Sequence, residues 1–347
     1  MDGCGAVANY AHGYPAMGAA LQATGRDIVY SCSWPAYLGD DESTKPFAAF
    51  ISAGCNLWRN YLDMGPTTGY LQGIISHFGN FSGTLSQWAG PGHWHDADVL
   101  LAGVDGVPLA AQQAQFAIYC VLALPLILGD DLRTAGPEAR AFLLNPHALA
   151  VSGDPLGRAG VLLGAPAAAG APTQVWVRPL ASGAVAVALY NAGPPSAHPW
   201  HTPCDPFNAT QGGYWAPLPG TQPAGWCLEG YGQSLMEWYC CNTADCAGYN
   251  FSAATGAGCL FKDVAGGWVA APGASGYTKQ GFAPPTGGPA DIEVRFADVG
   301  LLPGAPVEVF DVWEGAVVEV VANASGWTAR GVPFLGAAFL RLRQVPS

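Results

Sequence analysis

Through its first half the chain alternates short apolar runs of β type with stretches of helical spacing, and each apolar run ends in a polar or aromatic cluster. Asp2 stands at the start. IVYSC leads into Ser33-Trp34, NLW into Arg59 and Asp63, GPGHW into His95 through Asp98, and LPLIL into Gly129 through Asp131. These ends fall near positions 2, 33, 63, 98 and 130, in steps of 31, 30, 35 and 32 residues. A (β/α)8 barrel runs about 250 residues in eight units, or about 31 per unit, and presents functional residues at the C-terminal ends of its strands. The spacing predicts an α/β fold, a partial (β/α)8 TIM barrel of five units, three fewer than a closed barrel holds.

Past residue 160 the pattern changes. Runs such as TQVWVRPL, GAVAVALYN, DIEVRF and PVEVFDVW follow one another between Gly/Pro turns, which predicts an antiparallel β-sandwich. The expected domains are a barrel part over 1–157 and a β-sandwich over 158–347. Between VALYN and DIEVRF lie roughly a hundred residues holding Cys204, Cys227, Cys240, Cys241, Cys246 and Cys259. The segment WYCCNTADCAGYNF, followed by GCLFK, resembles an apple/PAN-type cysteine module and marks an insertion over about 198–288. Six cysteines allow fifteen pairings, and sequence does not choose among them. The insertion reads either as an accessory glycan- or protein-binding unit or as a stapled surface loop without a ligand.

Half of the 347 residues are hydrophobic, enough for two cores. The net charge of −12, with only 13 Lys and Arg, argues against a nucleic-acid partner, which needs clustered cations. The longest apolar stretch, Tyr119 to Leu128, contains Pro125 and is too short to span a bilayer, so no membrane partner is expected. Ten cysteines and sequons at Asn80, Asn208, Asn250 and Asn323 point to an oxidising compartment. The first ten residues have neither the charged nor the apolar region of a signal peptide. Cys120, inside QQAQFAIYCVLALPL, reads as a buried small hydrophobe.

Two carboxylates with different duties can hydrolyse a glycoside: one attacks the anomeric carbon and the other protonates the leaving oxygen, about 5–5.5 Å apart in a retaining enzyme. Asp2 and Asp63 fall at the mouths of two strands separated by one strand, which can face them across one pocket. A different chemistry is offered by His93-Trp94-His95-Asp96-Ala97-Asp98, where His93 and His95 beside carboxylates resemble the ligand string of a metallo-hydrolase.

The stretch YPAMGAALQATGRDIVYSCSWPAY, with CNLWRNYLDM, AGPGHWHDADVLLAG, LALPLILGDDLR and DPLG in the same order, is similar to the melibiase-type α-galactosidases and α-N-acetylgalactosaminidases. The match is dense over residues 1 to about 160 and resumes weakly at ADIEVRFADVG and VFDVWEG. The resemblance implies barrel strands four to eight, an upstream part lying outside this sequence, and a small C-terminal β-domain. It places the nucleophile on Asp2 and the acid/base on Asp63. Arg59 becomes a clamp on a sugar hydroxyl, Asp98 a hydroxyl acceptor, and Trp34 and Tyr37 aromatic pocket walls. Ser33 and Ala36 stand where galactose-specific members have Glu and Leu, and the small pair leaves room for a 2-acetamido group. Cys32 and Cys55 match a family disulfide, while the partner of Cys4 would lie upstream. At His95, Ala97 and Val99 the chain departs from the family's Asn-Asp-Pro-Asp-Met. The implied partners are glycans ending in α-galactosyl or α-N-acetylgalactosaminyl residues, with a homodimer as the assembly. No cofactor is implied, and the implied location is secreted, lysosomal or vacuolar. A non-catalytic carbohydrate-binding remnant of such an enzyme is the alternative.

Overall fold

A computed structural model describes residues 1–3, 9–129, 131, 133, 135–193, 287–302 and 304–346, together with the backbone of five strands between 208 and 278. The chain divides into two compact units, Met1–Pro195 with Gly287–Ser347, and Ser196–Thr286.

The first unit opens with α1 (Tyr10–Ala23) and then alternates β1 (Ser31–Cys32), α2 (Phe47–Ser52), β2 (Leu57–Arg59), α3 (Thr68–Leu85), β3 (Trp94–Asp96) and α4 (Leu109–Leu122). The three strands pair in parallel in the order β1-β2-β3. Both flanks extend this wall. Met1 donates its amino group to Ser31 O (2.7 Å) and accepts from Ser33 N (3.0 Å), a parallel ladder step on the outer side of β1. Beyond β3, Leu100 forms a parallel bridge with Leu128. β1, β2 and β3 thus form a three-stranded parallel sheet, with Met1 hydrogen-bonded along its outer side and one further parallel bridge, Leu100–Leu128, after β3.

Parallel strands are covered by the helices that connect them, so both faces fill with apolar side chains. Tyr14, Phe47, Phe50 and Trp58 are almost wholly buried among α1, α2, β1 and β2. Helix α3 approaches closely at Gly79, where a Cβ would meet Leu162, Ala169 and Trp176 at 3.1–3.3 Å. Helix α4 is buried over most of its length, which accounts for the apolar run around Cys120; that thiol is free and wholly buried.

Short helices α5 (Pro137–Leu143) and α6 (Pro146–Ser152) lead into β4 (Val161–Leu162), β5 (Thr173–Pro179) and β6 (Val185–Asn191). Within the second unit, β7 (Asn208–Thr210), β8 (Cys227–Leu228), β9 (Gly248–Ser252), β10 (Ala257–Phe261) and β11 (Ala274–Thr278) form an antiparallel sheet in the order β7-β11-β9-β10-β8. The cysteine side chains of the expected apple/PAN-like insertion lie outside the described residues, as do Cys4 and Asp130.

The first unit then resumes with β12 (Ala290–Arg295), β13 (Val307–Asp311), β14 (Ala316–Val321), β15 (Gly326–Val332) and β16 (Ala337–Gln344). A six-stranded antiparallel sheet, β14-β13-β16-β6-β5-β4, faces the pair β12-β15. Val187, Leu189, Val307, Val309 and Leu342 of the large sheet pack with Ile292, Val294, Ala329 and Val332 of the small one in a single core. Arg178 of β5 is buried and donates to the carbonyls of Cys120 and Val151, each at 2.7 Å, tying the sheet to α4 and α6.

Candidate active site

The C-terminal ends of the parallel segments gather the polar side chains. Ser33 follows β1 and starts a single 3-10 turn over Trp34–Tyr37. Residues three apart eclipse in a 3-10 turn, so Ser33 and Ala36 share a side; Ala36 N donates to Ser33 O at 3.1 Å. The Ser33 hydroxyl donates to Asp2 Oδ1 at 2.6 Å. With the Met1 ladder step, that bond fixes Asp2 beside the end of β1 while leaving it exposed.

Arg59 closes β2 and holds two carboxylates at once. Its Nη2 lies 3.0 Å from Asp63 Oδ1 and 3.0 Å from Asp98 Oδ2, and it donates to Leu62 O at 3.0 Å. Asp63 is 88% exposed, whereas Arg59 and Asp98 are each 17% exposed. The cluster is anchored at its base and open at Asp63. Asp98 adopts a left-handed backbone, φ 73°, a conformation costing about 1 kcal/mol or more for a residue with a Cβ. Its carboxylate offsets this by accepting from Met64 N (2.7 Å) and Val99 N (2.8 Å), while Asp96 accepts from Asp98 N (2.8 Å). Burial pushes the Asp96 carboxyl above its ordinary pKa.

Tyr37 closes the same 3-10 turn. Its phenol is held above the usual pKa by burial first, and then by the negative charges of Asp2 and Asp63 together with Tyr10, against a hydrogen bond from the Gly3 backbone. At 39% exposure the Tyr37 ring remains open to solvent.

Trp34 requires a correction. It is 6% exposed, stacks on Tyr14 at 5.4 Å and meets Phe50 edge-on at 4.9 Å. The 3-10 turn rotates Trp34 into the aromatic core and leaves Tyr37 outside, so Trp34 supports the site from behind and is not a pocket wall. Cys32 and Cys55 form a disulfide that links the end of β1 to the segment entering β2.

The metal-ligand reading of His93 and His95 fails on the same kind of detail. His95 is buried, and its Nε2–H donates to Leu85 O at 2.8 Å while Nδ1 accepts from Trp58 Nε1 at 2.9 Å. Both ring nitrogens are engaged by protein, and burial drives the imidazole pKa down to about 4. His95 is a neutral core histidine. His93 packs against the Trp58 ring at 6.0 Å, and among the described residues no group of three or more His, Cys, Asp or Glu could hold a metal ion.

Behind Arg59 lies a second polar cluster that the sequence did not announce. Glu42, fully buried, accepts from Lys45 Nζ (2.8 Å) and Asn60 Nδ2 (2.9 Å) and lies 2.7 Å from His77 Nε2. Lys45 also donates to Asn60 O at 2.7 Å, and Tyr61 stacks on His77 at 3.8 Å. Burial works to raise the Glu42 pKa, yet the His77 hydrogen bond and the Lys45 charge hold it below the ordinary value. These contacts pin the backbone of Asn60 and the ring of Tyr61, just before Asp63.

Residues 1–154 match the family model described as alpha galactosidase A, Melibiase_2. Over 194 residues the chain is 38% identical to an alpha-N-acetylgalactosaminidase of Gallus gallus, covering 55% of this chain and 46% of that one. Over 188 residues it is 37% identical to alpha-galactosidase A of Homo sapiens, covering 54% and 42%. The fold is similar to that of alpha-galactosidase I from Mortierella vinacea, with a TM-score of 0.58 at 18% identity over 98% of this chain and 64% of that one. The chain spans about half the length of the curated relatives it matches. With the motif residues in order at the ends of its parallel segments, residues 1–154 are similar to the melibiase-type family of α-galactosidases and α-N-acetylgalactosaminidases.

Proposed function

We propose that this site carries out retaining exo-hydrolysis of terminal α-D-galactosyl or α-N-acetylgalactosaminyl residues, with Asp2 as nucleophile and Asp63 as acid/base. The observation that carries the reading is that Asp2, held by the Ser33 hydroxyl at 2.6 Å, stands at the end of β1, which pairs in parallel with β2, where Arg59 is shared by Asp63 and Asp98. In the first step an Asp2 oxygen bonds to the anomeric carbon as the glycosidic C–O bond breaks, and Asp63 gives its proton to the leaving oxygen. In the second, water replaces Asp2 and Asp63 takes a proton back. Ser33 aims the Asp2 carboxylate, Arg59 and Asp98 grip sugar hydroxyls, and the open face of Tyr37 lies along the sugar. The small pair Ser33 and Ala36, on one side of the same turn, leaves space for the 2-acetamido group. The Cys32–Cys55 bond supports an oxidising compartment, secreted, lysosomal or vacuolar. We place the barrel part over 1–157 and the β-sandwich over 158–347, interrupted by the cysteine-rich insertion.

The test is a mechanism-based glycosyl label followed by peptide mapping. Label is expected on Asp2 in the unmodified chain and absent in Asp2→Asn. With an aryl galactoside whose leaving group needs little protonation, Asp63→Asn should accumulate the covalent intermediate. Label on another residue, an inverted product or no labelling at all overturns the assignment.

A further inference from the structure

Strand β14 is anomalous for an edge strand. It ends the six-stranded sheet, and its sequence AVVEVV leaves Val317, Val318 and Val320 exposed at 49, 54 and 53%. An unpaired apolar edge invites pairing with other chains, and proteins blunt such edges with charge, proline or a cover. Here Glu319 is the only charge in the strand, and its Oε2 is engaged by Trp327 Nε1 at 3.1 Å.

The chain leaves β14 straight into the sequon Asn323-Ala324-Ser325. Asn323 is exposed, in a left-handed turn (φ 60°) on the loop between β14 and β15. Asn tolerates this conformation better than most residues. Ser325 is also exposed, and its structural bond is made by its carbonyl, which accepts from Phe296 N at 2.8 Å. The hydroxyl the sequon needs is therefore not required by the fold. The sequon at Asn80 is placed differently: it lies inside α3, with Ser82 1% exposed and its hydroxyl bonded to Gly79 O and Leu162 N.

We propose that Asn323 is an N-glycosylation site whose glycan covers the apolar edge strand β14. Asn323 lies three residues past Val320, about 10 Å along extended chain, within reach of a branched glycan. Transfer from a lipid-diphosphate-linked oligosaccharide forms a bond between Asn323 Nδ2 and the anomeric carbon. It breaks that carbon's bond to the diphosphate oxygen and releases an amide proton with the lipid diphosphate. The Cys32–Cys55 disulfide supports passage through a compartment where such transfer occurs. The polar, bulky adduct then shields Val317, Val318 and Val320 from other chains and needs no partner protein there.

The test fuses a cleavable signal peptide to the full chain and translates it into microsomal vesicles, with protease protection as proof of entry. Mapping after enzymatic deglycosylation in heavy-oxygen water should mark Asn323. Asn323→Gln and Ser325→Ala should each lose one glycan; the second keeps Asn323 in its turn and guards against a folding defect. Unglycosylated Ser325→Ala should bind an apolar-surface dye more strongly and self-associate, and adding Val318→Thr with Val320→Thr should reverse both. Protected chain with an unmodified Asn323 overturns the site. Unchanged dye binding and association in Ser325→Ala, or a dimer of the glycosylated chain paired through β14, overturns the cover.

Discussion

Arg59 and Asn60 are neighbours at the end of β2, yet one serves an open cluster and the other a closed one. Arg59 shares its guanidinium between Asp63, which is 88% exposed, and Asp98. Asn60 is wholly buried and joins Glu42, Lys45 and His77, none of them more than 5% exposed. Both groups pair cations with carboxylates at similar distances, and water separates their roles. Solvent weakens the Arg59–Asp63 attraction and leaves the carboxylate available to a ligand. Exclusion of water makes every member of the Glu42 cluster depend on the others. The comparison teaches that rigidity at this site comes from the closed cluster, and reactivity from the open one one residue away.

The largest expected effect breaks the closed cluster. Glu42→Ala leaves Lys45 buried without its partner and strips His77 and Asn60 of an acceptor. Removing one member of a buried pair costs about 3–5 kcal/mol, visible as a fall in unfolding free energy by chemical denaturation. Glu42 has a depressed folded pKa, so its contribution is present above its ordinary pKa and lost as pH falls through the folded value. A loss below about 1 kcal/mol, in the range of exposed pairs, would mean the cluster is not the rigid element.

A second prediction sharpens the comparison through pH. His95 is held neutral by burial, its pKa lowered from 6.5 to about 4. Between those values the unfolded chain binds a proton that the folded chain refuses, so stability falls as pH drops from 6.5 towards 4 and levels off below. The linkage is worth about 3 kcal/mol across that window. His95→Asn has nothing to titrate there, so its stability should lose that slope between pH 6.5 and 5, whatever its baseline. An unchanged slope would place the acid sensitivity elsewhere.

On the open side, changes should move ligand preference more than stability. Ser33→Glu with Ala36→Leu fills the space beside the eclipsed pair and brings an acceptor for a free 2-hydroxyl. The kcat/KM ratio of aryl α-galactoside over aryl α-N-acetylgalactosaminide should rise about 10- to 200-fold, the scale of a filled small pocket. Because Ser33 Oγ sits 2.6 Å from Asp2, the new carboxylate also adds repulsion there, so absolute rates should fall even as the ratio rises. A constant ratio would show that these positions do not face the 2-position.

Much of the open cluster was legible in the sequence because its residues recur at strand ends. The steps of about 31 residues located β1, β2 and β3, and the quoted motifs hold Asp2 with Ser33, which are hydrogen-bonded to each other, and Arg59 with Asp63 and Asp98, which form a second bonded group. The closed cluster was not legible. Glu42 stands among Asp40, Asp41 and Lys45 with no local pattern that would bury it, and His77 sits 35 residues away; only tertiary packing turns the carboxylate inward. Trp34 was misplaced because sequence does not say which side of a single 3-10 turn faces the core. His95 looked like a ligand because strand alternation sets it on the same side as His93. Its partners Trp58 and Leu85 arrive from β2 and α3, beyond any local pattern.

The smallest expected effect on stability is the most discriminating. Asp63→Asn removes a charge that Arg59 shares with Asp98, but the Asp98 contact and the bond to Leu62 O persist. An exposed pair of this kind contributes about 0–1 kcal/mol, so denaturation should barely register the substitution. Turnover of a substrate whose leaving group needs a proton should fall by about 100- to 10,000-fold, the usual scale of general acid–base help. Denaturation and kinetics on one preparation thus separate a group kept for chemistry from one kept for structure. If Asp63→Asn destabilises the fold as Glu42→Ala does, the open cluster is a structural brace, and the acid/base role assigned to Asp63 loses its physical basis.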